Sequence, residues 1–136
     1  DSFSIPWSRG SMEKELENKL AIYIVAMEDD KVVGYAGMWH VVTEGHITNI
    51  AVHKDYRGKG VGQALVKGLI DIAKEKEMIG VTLEVRPSNE TALHIYKKYG
   101  FKLSGVRKEY YDDNKEDAYI MWCYLVPPEE IEGEIF

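Results

Sequence analysis

Two hydrophobic rhythms alternate along the chain. Between residues 20 and 52 the apolar positions recur every second residue and are rich in β-branched and aromatic side chains, the signature of strands. Residues 20–27 and 32–42 predict a hairpin, turned by Glu28-Asp29-Asp30-Lys31. Thr43-Glu44-Gly45 turns the chain again into a third strand over 45–52. Gly34 and Gly37 inside the second strand predict a bulge or close packing. The rhythm then changes to a helical one. Val61, Ala64, Leu65, Gly68, Leu69, Ile72 and Ala73 form one apolar stripe ending near Lys76, with Lys67, Asp71, Lys74 and Glu75 opposite. A strand follows over 80–85. A helix capped by Ser88 or Asn89 runs to Tyr99 and is closed by Gly100. Strands over 101–110 and 118–125 are joined by Asp112-Asp113-Asn114-Lys115.

Ahead of all this, Met12, Leu16 and Leu20 at four-residue spacing predict a short helix over 8–19, with Ser8 or Ser11 as its cap. The order is α-β-β-β-α-β-α-β-β. A β-α-β unit implies a parallel pair at Val52 and Val81 with a right-handed connection, and antiparallel flanks. The fold class is α+β: one mixed, mostly antiparallel sheet with flanking helices. Residues 1–126 form one domain. Pro127-Pro128 ends it, and residues 127–136 are an acidic tail.

Composition narrows the function classes. A chain of 136 residues, 45% hydrophobic and 29% charged, is an ordinary single globular domain. Its net charge of −6 argues against nucleic-acid binding and suits a cationic partner such as a basic peptide. No apolar run reaches membrane-spanning length, and no secretory pattern is present. The lone Cys123 lies in an apolar run and reads as a buried small hydrophobe, which fits a reducing cytoplasm. His40, His46, His53 and His94 lack metal-ligand spacing, so no metal is expected.

Candidate chemistry begins at Tyr56-Arg57-Gly58-Lys59-Gly60-Val61-Gly62-Gln63, between the third strand and the long helix. Alternate glycines clear side chains from the backbone. The amides can then face an anion at a helix N-terminus. A purely structural turn is the competing reading. The spacing fits neither a Walker A loop nor a dinucleotide fingerprint. Glu84 is a carboxylate inside an apolar strand, where it needs a partner or an aqueous cleft. An ion pair with Arg86 or a solvent-facing position is the bland account. A tyrosine at helical spacing, Tyr96, is by itself more often core than catalytic. Tyr110 and Tyr111, placed on a strand, would point to opposite faces.

The loop resembles the acetyl-CoA loop of the GNAT superfamily of N-acetyltransferases, whose pattern Arg/Gln-x-x-Gly-x-Gly/Ala is filled by Arg57, Gly60 and Gly62. The resemblance spans nearly the whole chain. Pro6-Trp7-Ser8, Asn49-Ile50-Ala51-Val52, Leu83-Glu84-Val85-Arg86-Pro87-Ser88-Asn89, Tyr96-x-x-Tyr99-Gly100-Phe101, and Tyr110-Tyr111 with Glu116-Asp117-Ala118 are similar to the branch that acetylates protein N-termini, the ribosomal-protein-alanine group in particular. That family normally begins with one more strand and helix than this chain supplies, which would leave a sheet edge bare.

The resemblance implies an acyl-CoA N-acyltransferase fold and acetyl-CoA as cosubstrate. It implies that Arg57, Gly58, Lys59, Gly60, Val61, Gly62 and Gln63 hold the pyrophosphate, and that the backbone of Ile50, Ala51 and Val52, with Asn89, holds the pantetheine arm. It implies Glu84 as general base through a water and Tyr96 as the acid at the leaving thiolate. Trp7, Tyr110 and Tyr111 would line the acceptor groove, and the acceptor would be the N-terminal alanine of ribosomal protein S18. A monomer is favoured. An α-amine, with pKa near ~8 against ~10.4 for lysine, is the easier nucleophile for a single carboxylate base. A lysine, polyamine or small-amine acetyltransferase is the enzymatic alternative, and a non-catalytic acyl-CoA-binding module is the alternative of another class.

Overall fold

The computed structural model describes residues 3–4 and 19–126. The expected helix over 8–19, Trp7 and the tail 127–136 lie outside the described residues. Seven strands form one sheet, in the order β1-β2-β3-β4-β5-β7-β6. These are β1 (Phe3–Ser4), β2 (Lys19–Glu28), β3 (Lys31–Val41), β4 (Glu44–Val52), β5 (Gly80–Val85), β6 (Lys102–Arg107) and β7 (Ala118–Tyr124). Two helices accompany them, α1 (Val61–Glu75) and α2 (Glu90–Lys98). All pairings are antiparallel except β4 with β5. The sheet edge expected to be bare has a short partner: Phe3 and Ser4 pair with Glu28 and Met27 at the outer edge of β2.

The helix-period stripe does what it predicts. Val61, Leu65, Leu69, Ile72 and Ala73 are buried, and Val66 and Ile70 widen the stripe. α1 packs across β2, β3 and β4. Leu65 and Leu69 are 0% exposed, and each such side chain is worth roughly 1.5–3 kcal/mol when fully buried. On β3, Ile24's neighbour Ala36 and the adjacent Met38 continue this core. Cys123 is buried as expected. Its Sγ lies 3.5 Å from the Tyr99 carbonyl oxygen.

Two irregularities shape the sheet's centre. The β3–β4 register skips between Gly37↔Asn49 and Met38↔Ile47, so the extra residue is Thr48, on β4. Gly37 is the partner that permits it: a Cβ there would lie 2.6 Å from Asn49 Oδ1 and 2.8 Å from Tyr23 Cε1. The second irregularity corrects the expected pairing of Val52 with Val81. β4 and β5 are parallel only over Glu44↔Gly80, Gly45↔Val81 and His46↔Thr82. Beyond that the two strands part, and their C-terminal halves face each other across a gap.

The last hairpin also differs from expectation. β6 ends at Arg107, and Glu109 takes a left-handed backbone (φ 48°) with its amide donating to Asp117 Oδ1 at 2.9 Å. That turn stops the ladder before the tyrosine pair. Tyr110 and Tyr111 therefore sit in the β6–β7 loop rather than on a strand, and they do not face opposite ways. Their rings meet edge to face, 4.9 Å apart.

Candidate active site

The gap between β4 and β5 opens into two adjoining cavities. The larger, 1080 Å³, runs beside the end of β4, the glycine loop and α2. The smaller, 180 Å³, lies between Glu84 on β5, Asn49 on β4 and Tyr111 of the β6–β7 loop. Both are lined by Ile50, Asn89 and Tyr96, so the three mark the junction.

The walls of the larger cavity follow from local sequence. A 3₁₀ turn, Lys54–Tyr56, carries the chain from β4 into the loop. Gly58 and Gly60 adopt φ of 77° and 86°, left-handed values that disfavour other residues. Gly60 is the N-cap of α1 and offers no side chain, and the first intrahelical bond is Ala64 N–H to the Gly60 carbonyl oxygen at 3.0 Å. The amides of Val61, Gly62 and Gln63 precede that bond and have no intrahelical acceptor. A Cβ on Gly62 would lie 3.5 Å from Ile95 Cδ1 on α2, so a larger residue would narrow the groove. The helix N-terminus is therefore bare, electropositive and open to an anion.

The sequence-predicted loop residues contribute unequally. Arg57, Gly58, Gly60, Gly62 and Gln63 line the groove, with Ile50, Ala51 and Val52. The Val61 side chain is 1% exposed in the core, which leaves only its amide to offer. Lys59 does not line it; its ammonium lies 5.4 Å from the Tyr56 ring centre. The Tyr56 hydroxyl donates to Glu28 Oε1 at 2.8 Å, tying the loop's start to the β2–β3 turn. Lys98 Nζ donates to Gln63 Oε1 at 2.8 Å, joining the C-terminal turn of α2 to the first turn of α1.

Asn89 caps α2, its Oδ1 accepting from Ala92 N–H at 3.1 Å. Ser88 is not the cap. About two helical turns further, Tyr96 packs against Phe101 with ring centres 5.5 Å apart. Burial, with Tyr111 nearby, pushes its phenol up to about 12. It is a firmly protonated hydroxyl at the junction of the cavities.

Glu84 does not pair with Arg86. Its Oε1 lies 2.9 Å from His46 Nε2, and its Oε2 lies 3.8 Å from Arg107 Nε, with 14% of the side chain exposed. Arg86 stands just past the end of β5 and turns to the β6–β7 loop instead. It donates to Asp113 Oδ2 and Oδ1 at 3.0 and 3.1 Å, to Asn114 Oδ1 at 3.2 Å and to Glu116 Oε1 at 3.4 Å. Its guanidinium stacks 3.9 Å from the centre of the Tyr111 ring. Glu116 also accepts from the Ser88 amide and hydroxyl, which hold it below the usual carboxylate range with help from Arg86. This clasp seats Tyr111 over the small cavity. Tyr110 is 44% exposed beside it.

Sequence reasoning missed His46, Arg107 and the Arg86 clasp. His46 was legible in part. It pairs with Thr82, and strand alternation puts Glu84 on the same face as Thr82. The clasp joins residues 27 to 30 positions apart, and no periodicity signals it. Among the described residues no group of His, Cys, Asp and Glu could hold a metal ion.

The chain matches the model of the acetyltransferase (GNAT) family over residues 1–101. A Bacillus subtilis relative, named as a candidate ribosomal protein bS18-alanine N-acetyltransferase, is 45% identical over 125 residues, covering 91% of this chain and 83% of that protein. The crystal structure of the ribosomal-protein-S18-alanine N-acetyltransferase from Escherichia coli superimposes with a TM-score of 0.74 at 32% identity, covering 85% of this chain and 74% of the other. A Bacillus anthracis acetyltransferase solved with acetyl coenzyme A superimposes with a TM-score of 0.70 at 28% identity, over 78% and 63% of the two chains.

Proposed function

The chain belongs to the acetyltransferase (GNAT) family, and from that premise we propose that it acetylates the N-terminal α-amine of a protein, the acceptor being the N-terminal alanine of ribosomal protein S18. The single observation that carries the reading is the junction of a long anion-ready groove with a short cleft at Tyr96 and Asn89. One cavity suits an extended phosphate-bearing molecule. The other admits only a slender group such as a chain terminus.

Bound in the long groove, acetyl-CoA supplies the acyl group as a thioester. The bare N-terminus of α1 fits its pyrophosphate, with the amides of Val61, Gly62 and Gln63 as donors and Arg57 as counter-charge. The free inner edge of β4 at Ile50 and Val52, on either side of Ala51, presents backbone groups that would pair with an amide-bearing arm, while Asn89, its oxygen held by the cap, has its side-chain NH₂ to give. The Val52 amide is the donor placed to polarise a carbonyl.

The acceptor ammonium must lose a proton before it can attack. Glu84, at the floor of the small cavity, takes that proton through one water. Tyr96 presents a protonated hydroxyl where the leaving sulfur would stand. Tyr111, held by Arg86, covers the acceptor backbone, with Tyr110 at the entrance.

The test is a panel: acetyl-CoA with Ala-starting peptides, N-terminally blocked lysine peptides and spermidine, read by mass. Transfer to the Ala-starting peptides, and among them preference for the S18 N-terminal sequence, is expected. Faster transfer to blocked lysine peptides or spermidine would overturn the reading, and cofactor binding without transfer to any amine would favour a non-catalytic module.

A further inference from the structure

His46 is the residue that the reading above leaves without a task. It does not line the small cavity, yet its Nε2 lies 2.9 Å from Glu84 Oε1. An ionised carboxylate only accepts hydrogen bonds, so the hydrogen of this contact belongs to His46 Nε2. The other carboxylate oxygen, Oε2, has no hydrogen-bond partner among the described residues; Arg107 Nε stands 3.8 Å away. The histidine is 39% exposed and the glutamate 14%, so His46 bridges the buried carboxylate and the surface.

The contact has a structural origin. β4 and β5 are paired only up to His46↔Thr82, and then part. Glu84, two residues beyond the last paired position, stands where the gap begins. Glu84 stays paired with Ile120 of β7 on one side, but on the β4 side no strand pairs with it. His46, the last β4 residue paired with β5, reaches across and constrains the carboxylate from that open side.

We propose that His46 is the positioning residue for Glu84, holding Oε1 so that Oε2 is the oxygen presented to the acceptor's proton. The inference rests on Glu84 acting as the base. Losing one charge-assisted hydrogen bond at this place lets the carboxylate rotate away from the water it must engage.

Kinetics of His46→Ala, His46→Gln, Glu84→Gln and the His46→Ala/Glu84→Gln pair test it, with melting temperatures measured alongside. His46→Ala lowers kcat about tenfold, the scale of one hydrogen bond to a charged group, and leaves KM for acetyl-CoA and the melting temperature unchanged. Gln places an N–H close to the Nε2 position, so His46→Gln restores turnover to within about threefold of the wild type, in keeping with a single recovered bond. In the Glu84→Gln background His46→Ala has no further effect. If Glu84→Gln is impaired while His46→Ala keeps turnover within twofold of wild type, the positioning role is overturned and the base stands. If Glu84→Gln itself is fully active, the base assignment falls and takes this inference with it.

Discussion

Replacing Tyr96 with Phe removes one hydroxyl and keeps the ring that packs on Phe101. The pushed-up phenol, at about 12, fixes what that hydroxyl can do. An ordinary thiol titrates near ~8.5, so handing a whole proton to a thiolate is uphill by roughly 3.5 units, or about 5 kcal/mol. A hydrogen bond donated to the developing sulfur charge carries no such cost. Bonds to charged groups contribute about 1.5–3 kcal/mol, which converts to a kcat loss of roughly 10- to 150-fold in Tyr96→Phe. Thiol-release kinetics at saturating acetyl-CoA measures the loss. KM for the acceptor is expected to hold. The same phenol sets an alkaline signature. Its folded value lies above the ordinary phenol value of 10, so its stabilising contribution is whole below pH 10 and is lost between 10 and 12. The urea midpoint of the wild type falls across that window more steeply than that of Tyr96→Phe. Turnover of Tyr96→Phe within twofold of wild type, or a loss confined to KM, would refute the role.

Arg86→Met keeps an unbranched stem and removes the clasp on Tyr111; KM for an Ala-starting peptide rises several-fold, KM for acetyl-CoA does not, and a change in the latter alone would contradict the division of the two cavities. Gly60→Ala meets no neighbour within 4 Å, so its cost is left-handed backbone strain of about 1–2 kcal/mol; the expected result is a lower melting temperature with a raised acetyl-CoA KM, checked by calorimetry and titration, and an unaltered cofactor affinity would show that the loop's conformation does not matter to binding.

Periodicity carried the reading of this chain furthest where one side of an element is buried and the other is wet. α1 is such a case, and its stripe from Val61 to Ala73 lies where the pattern put it. Asn89 as a cap and Gly100 at φ 94° were equally legible, because each is a local backbone requirement. Tyr110 and Tyr111 were misplaced for a physical reason: the run from 101 to 110 looks continuous, but the Glu109 turn and its bond to Asp117 end the ladder early, and that partner is eight residues on. The parting of β4 from β5 was invisible in the residues themselves, since Ile50 and Val52 read as ordinary strand core. Glu84 was conspicuous as a carboxylate among apolar neighbours. Its actual partner was not, because His46 is 38 positions away.

The parting of β4 and β5 gives the sheet an edge in its interior. Exposed strand edges invite other chains to pair and aggregate, and proteins ordinarily blunt them. Here the vulnerable rim is recessed between two strands that are still joined at one end, where another protein's strand cannot slide in sideways but a thin, amide-rich molecule can enter lengthwise. Recognition of that kind is written in main-chain atoms. On the proposed reading it would be abolished by proline at Ile50 or Val52, and would invite inhibitors built as short strand mimics rather than as nucleotide analogues.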